Sequence, residues 1–515
     1  MNGELEDPEP VESVGLFHIR HFARQTTLLL STGVVGYLGT LGVTVTLARV
    51  LGSHGLGLWV IAFAAAQLVA SFGLMGADWM LVRQASFYHG VGDSERLRAT
   101  IRFALVFGGI SLAVIGATLS ILAPLLARSV YHSASAATLL RLAGPLGALV
   151  GFGNLMLYGT MAFKTMRSQA LVRNLLQPVV RLTFVGIACA VWRSALAAFA
   201  ALVLGEFVLL FVATRLLSRR ISLSGAVKPI DRKALVRFGV PASTNRLAET
   251  TRTQIFPLLL GSLAGTSATG VFQAARGVAV APGSVIASMN QVYSPMAGDL
   301  YLQGRTEELS TLFKGIAKWS FLVSLPVFSL AVAFPKELLS IFGPGFRGAA
   351  VPLILISIGM LFQFGTGPVT VTLILIGHPK LAFADYLLVI AVEVGLAVWL
   401  IPSYGVTGAA LARMVGTMLN NVVPLAQVWS KTGMQPYRSD FWKPAAAAVL
   451  ATVLARTAIS FSGLATGVPA AVAAASILSL TYLGFLLLFR LTPEDRAAVR
   501  AILKPRSTPA TETAG

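Results

Sequence analysis

Charge, cysteine and histidine are all scarce in this chain. Only 12% of its 515 residues are Asp, Glu, Lys or Arg, against roughly a quarter in ordinary globular proteins, and that shortage excludes a soluble enzyme. The single cysteine, Cys189, excludes an intramolecular disulfide framework, a cysteine-based zinc site and a protein-held iron–sulfur cluster. His18, His21, His54, His89, His132 and His378 are scattered without metal-ligand spacing, so neither a metal nor a cofactor is expected. Phosphate-cradling motifs of the Walker or Rossmann type are missing too, which removes ATP hydrolysis from the expected chemistry. Disorder fails for the opposite reason: 55% of the residues are hydrophobic and the mean hydropathy is +0.76.

What is abundant is long apolar runs. About 20 apolar residues cross the ~30 Å hydrocarbon core as a helix, and about fourteen such stretches can be marked between residues 26 and 489. The seventh and eighth, 236–263 and 268–296, contain charges. The expected fold is therefore all-α and polytopic. The net charge of +19 is an electrostatic footprint shared with nucleic-acid binders, but placement decides otherwise. Of the 40 Lys and Arg, 28 fall on the N-terminus, alternate loops and tail, and six on the opposite loops. By the positive-inside rule this asymmetry puts both termini in the cytoplasm and makes the basic excess topological, with no nucleic-acid partner. Residues 1–25 are acidic and no small-residue cleavage site follows the first span, so they read as a retained cytoplasmic tail.

The chain also repeats itself. Leu51-Gly52-Ser53 with Gly57-Leu58-Trp59 matches Leu260-Gly261-Ser262 with Gly270-Val271-Phe272. Gly92-Asp93-Ser94-Glu95-Arg96-Leu97 lies 212 residues before Gly304-Arg305-Thr306-Glu307-Glu308-Leu309, and Phe152-Gly153 the same distance before Phe364-Gly365. An even number of spans per copy gives both copies one orientation and a symmetry axis along the membrane normal. The expected organisation is an N-lobe at 26–217, a basic linker at 218–235, a C-lobe at 236–430, an extra helix pair at 444–489 and a cytoplasmic tail at 490–515. Two pseudo-symmetric six-helix bundles would then enclose a central cavity at their seam.

Leu47-Ala48-Arg49-Val50-Leu51-Gly52 through Gly57-Leu58-Trp59, and Ile401-Pro402-Ser403-Tyr404-Gly405-Val406-Thr407-Gly408-Ala409-Ala410-Leu411-Ala412, resemble patterns of polysaccharide-type (oligosaccharide or O-antigen) lipid flippases. Their superfamily also holds lipid II flippases and multidrug and toxic compound extrusion antiporters. Phe342-Gly343-Pro344-Gly345-Phe346 is similar to a turn of the same family. The resemblance covers roughly the first twelve spans. It implies two six-helix lobes that alternate between cytoplasmic and outward openings and turn over a lipid-linked sugar. It transfers no binding residue, because the motif positions set helix ends and close packing.

An ionisable group inside a span costs ~2.5 to 3.5 kcal/mol on insertion scales and calls for a partner or a wet cavity. Asn245, Arg246, Glu249, Arg252 and Thr253 share one face of the seventh stretch, and Gln273 and Arg276 one face of the eighth. Arg246 and Arg276 fall about 15 and 14 Å deep at 1.5 Å per residue. Arginine stays charged and grips phosphate bidentately, so Arg246, Arg252 and Arg276 are expected to hold a diphosphate, with Glu249 orienting or releasing an arginine and Asn245, Thr253 and Gln273 as supporting polar groups. The competing reading pairs Arg246 or Arg252 with Glu249, three residues away. Arg181 with Glu206, and Glu393 with Arg413, are expected structural ion pairs. Arg49 and Arg456 are expected to snorkel, and Asp78 to be an interfacial carboxylate.

These features favour a flippase for a polyprenyl-diphosphate-linked oligosaccharide, crossing from the inner to the outer leaflet of the cytoplasmic membrane, with membrane lipids around it and an envelope glycosyltransferase or polymerase as a partner. One alternative is a cation-coupled multidrug antiporter, which would favour a carboxylate-lined pocket. The other is a membrane glycosyltransferase or polymerase, which needs converging acid/base groups, whereas Glu337 is the only carboxylate expected on the outward loops.

Overall fold

The structure, a computed structural model, describes residues 11–163, 169, 171–437, 439–462 and 467–489. The first ten residues, the loop cations Lys164, Arg167 and Arg438, and the tail from Arg490 lie outside them, as do the side chains of residues 11–31. Among the described residues there are helices and no strands. The first helix, α1, runs from Val11 to Gly73 and so begins inside the stretch expected to be a tail. It bends at Gly52, whose φ of 67° and ψ of −172° interrupt the helical ladder. After it come α2 (Ala77–Met80), a π turn (Leu81–Ala85), α3 (Ser86–Gly90), α4 (Ser94–Ser129) and α5 (Ala134–Met161). A second π turn (Val172–Leu176) leads into α6 (Gln177–Trp192), followed by α7 (Ala195–Ser218).

The second half holds α8 (Arg232–Ala242), α9 (Thr244–Leu263), α10 (Gly265–Ala279), α11 (Gly283–Leu302) and α12 (Thr306–Ala333). Then follow α13 (Pro335–Leu339), α14 (Ala350–Thr366), α15 (Val369–Leu375) and the long α16 (Pro379–Thr432), which bends at Gly405. The last two helices, α17 (Trp442–Phe461) and α18 (Val468–Leu488), dock on α12 through a 2.5 Å Lys318–Asp440 ion pair and a 3.0 Å hydrogen bond from the Tyr482 hydroxyl to the Leu322 carbonyl.

Ten helices among the described residues are long and apolar enough to cross a membrane. The bent α1 and α16 each take up two of the expected stretches, while the polar seventh and eighth are broken into shorter helices and fall outside the ten. The exposed faces match this reading. On α4, Val106, Ile110, Val114, Ile121 and Leu125 are all more than half exposed at helical spacing. A stripe of that kind suits lipid tails and would be an aggregation site in water.

The internal repeat reappears in the backbone. Gly92 and Gly304, 212 residues apart, take φ of 74° and 72°. Around them the same bonds form: Asp93 N to Tyr88 O and Ser94 N to Gly92 O, both 3.0 Å, against Arg305 N to Leu300 O and Thr306 N to Gly304 O, both 3.0 Å. Glycine fits because a side chain at that φ would be strained, and α4 and α12 start two residues later. Arg193 (φ 46°) and Gly405 (φ 53°) stand at the same offset. Between the lobes, residues 219–231 form no helix and are tied to α4 by Arg102, which donates to the carbonyls of Leu223 and Gly225, and by a 3.1 Å Lys228–Glu95 ion pair.

Candidate functional site

Two contacts between the lobes bracket a cavity. At one end, the bend of α1 meets α10. A β-carbon on Gly57 would run into the Thr266 carbonyl, and one on Gly270 into the Ser53 carbonyl. Gly57 and Gly270 are matched positions of the repeat, so the contact is reciprocal, as a two-fold interface requires. His54 Nδ1 and the Thr266 hydroxyl lie 2.6 Å apart beside it, and Arg49 Nε donates to the Ile341 carbonyl at 2.7 Å. Arg49 therefore bridges to the second lobe instead of merely snorkelling. At the other end Gly76 and Gly239 approach in the same reciprocal manner. The Arg246 guanidinium grips both oxygens of Asp78 there, and Arg83 stacks 4.1 Å from the centre of the Phe238 ring.

Between these contacts lies a cavity of about 350 Å³. The first lobe lines it with Gln67 and Ser71 of α1, Asn154 and Tyr158 of α5, Arg173 of the second π turn, and Gln177 and Arg181 of α6. The second lobe adds Arg246, Thr250, Thr253 and Gln254, all from α9. Three arginines and four side-chain amides thus face one space, and its lining contains no carboxylate. Arg173 has no hydrogen-bond or ion-pair partner among the described residues and points an unpaired charge at the seam. A 3.1 Å hydrogen bond from the Ser71 hydroxyl to that of Thr250 crosses from one lobe to the other.

Several expected partners are exchanged. Glu249 is exposed and bonds neither Arg246 nor Arg252. Asp78, expected at the interface with water, is buried, with a side chain 4% exposed, and it takes Arg246. Arg252 is buried against Glu393 at 3.3 Å, and Arg413 holds both oxygens of the same Glu393 at 3.2 Å. Gly416 leaves the room in which the Glu393 side chain sits. Arg252 is therefore bonded into a triad with Glu393 and Arg413 and does not line the cavity. Arg276 lies within electrostatic reach of Arg252 and Arg413, yet has no hydrogen-bond or ion-pair partner among the described residues. Arg181 Nε meets Glu206 at 2.7 Å and also faces the cavity, with Phe63 under its guanidinium at 5.4 Å. Of the supporting group, Thr253 lines the cavity, Asn245 donates to the Pro379 carbonyl at 3.3 Å, and Gln273 is half-buried away from the lining. Arg456 packs over Phe334 at 5.3 Å.

The first-lobe half of the lining escaped sequence reading. Gln67, Asn154 and Gln177 are single amides inside apolar runs, and their isolation is the signal that marks them, since lipid offers an amide no partner. Arg173 is one of the 28 cations on the N-terminus, alternate loops and tail, because it stands at the edge of an apolar stretch.

Residues 22–300 match the model of a family described as polysaccharide biosynthesis protein. No curated protein matches the chain. Among solved structures, the lipid II flippase MurJ in an inward closed conformation aligns over 90% of this chain and 98% of its own with a TM-score of 0.68 and 14% identity. An inward-facing multidrug resistance MATE family transporter of the MOP superfamily aligns over 79% and 98%, with a TM-score of 0.61 and 16% identity. A MOP superfamily transporter from Pyrococcus furiosus, described as having a binding pocket of reverse polarity, covers 83% and 99% with a TM-score of 0.56 and 16% identity. At these identities the likeness is one of fold.

Proposed function

The chain belongs to the polysaccharide biosynthesis protein family, and from that premise we propose that it is a flippase, a transporter and not an enzyme. It carries a polyprenyl-diphosphate-linked oligosaccharide from the inner to the outer leaflet of the cytoplasmic membrane, and an envelope glycosyltransferase or polymerase consumes the product. The observation that carries this reading is the seam cavity, with three arginines and no carboxylate on its walls. Guanidinium forks suit a diphosphate, and side-chain amides with a tyrosine hydroxyl suit sugar hydroxyls. A cationic drug would meet the unpaired charge of Arg173 there, and no carboxylate on the lining to receive it, which disfavours the multidrug reading.

With both termini in the cytoplasm, as the loop charges favour, the Gly76–Gly239 contact closes the cytoplasmic end and the Gly57–Gly270 contact the outer end. Arg173 and Arg246 then face an incoming diphosphate first, with Arg276 as a further unpaired cation for the anion. The diphosphate competes with Asp78 for Arg246, so binding loosens one of the bonds that close the cytoplasmic end. At about 350 Å³ the cavity sits at the lower end of small-ligand pockets, roughly 300 to 1,000 Å³. A long glycan therefore needs the contact at one end to part.

Reconstituted protein tests the reading through leaflet-resolved turnover of a diphosphate-linked saccharide. Arg173→Gln and Arg246→Gln are each expected to slow turnover at least ~10-fold, the equivalent of one lost charge-assisted contact. Unchanged turnover in both variants would overturn the anion site, and export of a cationic dye with no lipid turnover would favour the antiporter.

A further inference from the structure

Four carboxylates are buried among the described residues: Asp78, Glu206, Asp385 and Glu393. Three of them hold arginine. Asp385 does not. Its Oδ1 accepts a 2.8 Å hydrogen bond from Gln427 Nε2, while its Oδ2 and Gln427 Oε1 are buried without partners. Asp385 is 6% exposed and stands early in α16, with Gln427 near the end of that bent helix.

The charges around it are all accounted for. On α16 itself, Arg413 and Glu393 bond each other, Lys380 and Lys431 are exposed, and His378 at its start has Nδ1 3.0 Å from the Ile376 carbonyl. From α9, Arg246 goes to Asp78, Arg252 goes to Glu393, and Glu249 is exposed. Arg276 comes from α10, and α14 and α15 carry no titratable side chain. None of these groups bonds Asp385. An ionised carboxylate in the interior without a counter-charge is too costly to persist, and such a group is neutralised instead.

We propose that Asp385 is a proton-binding site of the transport cycle, its Oδ2 holding the proton in the closed state and exchanging it as the lobes alternate. The proposal rests on the transporter reading above. In each cycle a water-borne proton forms an O–H bond at Oδ2 while the outer end is open and leaves to cytoplasmic water when the other end opens. No other bond is made or broken. A proton fits better than a metal cation, because hard cations take many oxygen ligands and this pair offers three, with an amide N–H pointed at one of them. The signal has a short route to the seam. The next residue, Tyr386, lies within electrostatic reach of Glu249 and Arg252 on α9, the helix that supplies the second lobe's share of the cavity lining.

Two measurements on the full-length protein in lipid test this. Infrared difference spectra should show the carbonyl band of a protonated carboxylic acid that disappears in Asp385→Asn and shifts in Gln427→Leu. In proteoliposomes, an inward proton gradient should speed lipid turnover about 10-fold in the wild type and leave the rate of Asp385→Asn unchanged, while Gln427→Leu, which keeps the carboxyl group, should still respond to the gradient. A band that survives Asp385→Asn overturns the site, and so does a gradient effect that survives it. Acceleration by a sodium gradient in place of a proton gradient also overturns it. Lack of any lipid turnover in the wild type would defeat the flippase reading and leave the infrared result to decide the proton site.

Discussion

Glu393 bonds two guanidinium groups at once, Arg252 and Arg413, with a third, Arg276, within electrostatic reach. Breaking a buried pair from one side strands charge and typically costs about 3–5 kcal/mol, whereas replacing both partners by apolar groups costs far less. Glu393→Gln is therefore expected to lower the unfolding midpoint in detergent sharply, and Glu393→Leu with Arg413→Leu to recover part of the loss. Additive losses in the double variant would count against direct pairing. The Arg181–Glu206 and Glu393–Arg413 pairs were legible in the sequence because each joins two consecutive spans at similar depth. Arg246 with Asp78 and Arg252 with Glu393 were not, since their partners stand 168 and 141 residues away. Nearness along one helix suggested Glu249 for both, and tertiary packing chose otherwise.

At the scale of the helices, closure depends on backbone touching backbone. Gly76 lies against the Gly239 carbonyl and Gly57 against that of Thr266, so a side chain at either glycine holds its own end apart. Gly76→Val should wedge the end closed by Asp78 and Arg246, and Gly57→Val the opposite end. The chain's single cysteine is the buried Cys189, which makes Cys189→Ala a clean background for a reporter thiol at Ser71 beside the cavity. Gly76→Val is expected to raise thiol labelling from the cytoplasmic side several-fold, and Gly57→Val from the outer side. Equal labelling from both sides in both variants would show that these contacts do not set access. The apolar runs announced most of these helices, and the repeat matched Gly92 with Gly304, which take the same φ, whereas the bend at Gly52 carried no signal of its own. The Gly76–Gly239 approach was hidden, because a glycine reports the space it leaves and not the strand of chain that fills it.

For the molecule as a whole, both closures are made by residues of opposite lobes, while the linker lies against the first lobe and enters the second through Asp231, whose side chain caps α8. Arg102 holds the carbonyls of Leu223 and Gly225, and Glu95 holds Lys228. The linker then acts as a tether that raises the effective concentration of one lobe near the other, and the register between lobes comes from Gly57 with Gly270, Gly76 with Gly239, and Asp78 with Arg246. Matched backbone exceptions in the two halves, Gly92 with Gly304 above all, fit a chain built from two copies of one bundle that meet across a pseudo-two-fold axis. A cut within the linker should accordingly be tolerated. Co-expressed fragments 1–226 and 227–515 are expected to co-purify in equal amounts from the membrane and to turn over lipid within about threefold of the intact chain, the loss reflecting only the missing tether. Adding Gly57→Val and Gly76→Val to the split pair should abolish co-purification, because the contacts that hold the halves in register would both be wedged apart. Fragments that associate just as well with both valines in place would move the source of lobe pairing away from the glycine contacts and into the apolar surface of α1 and α10.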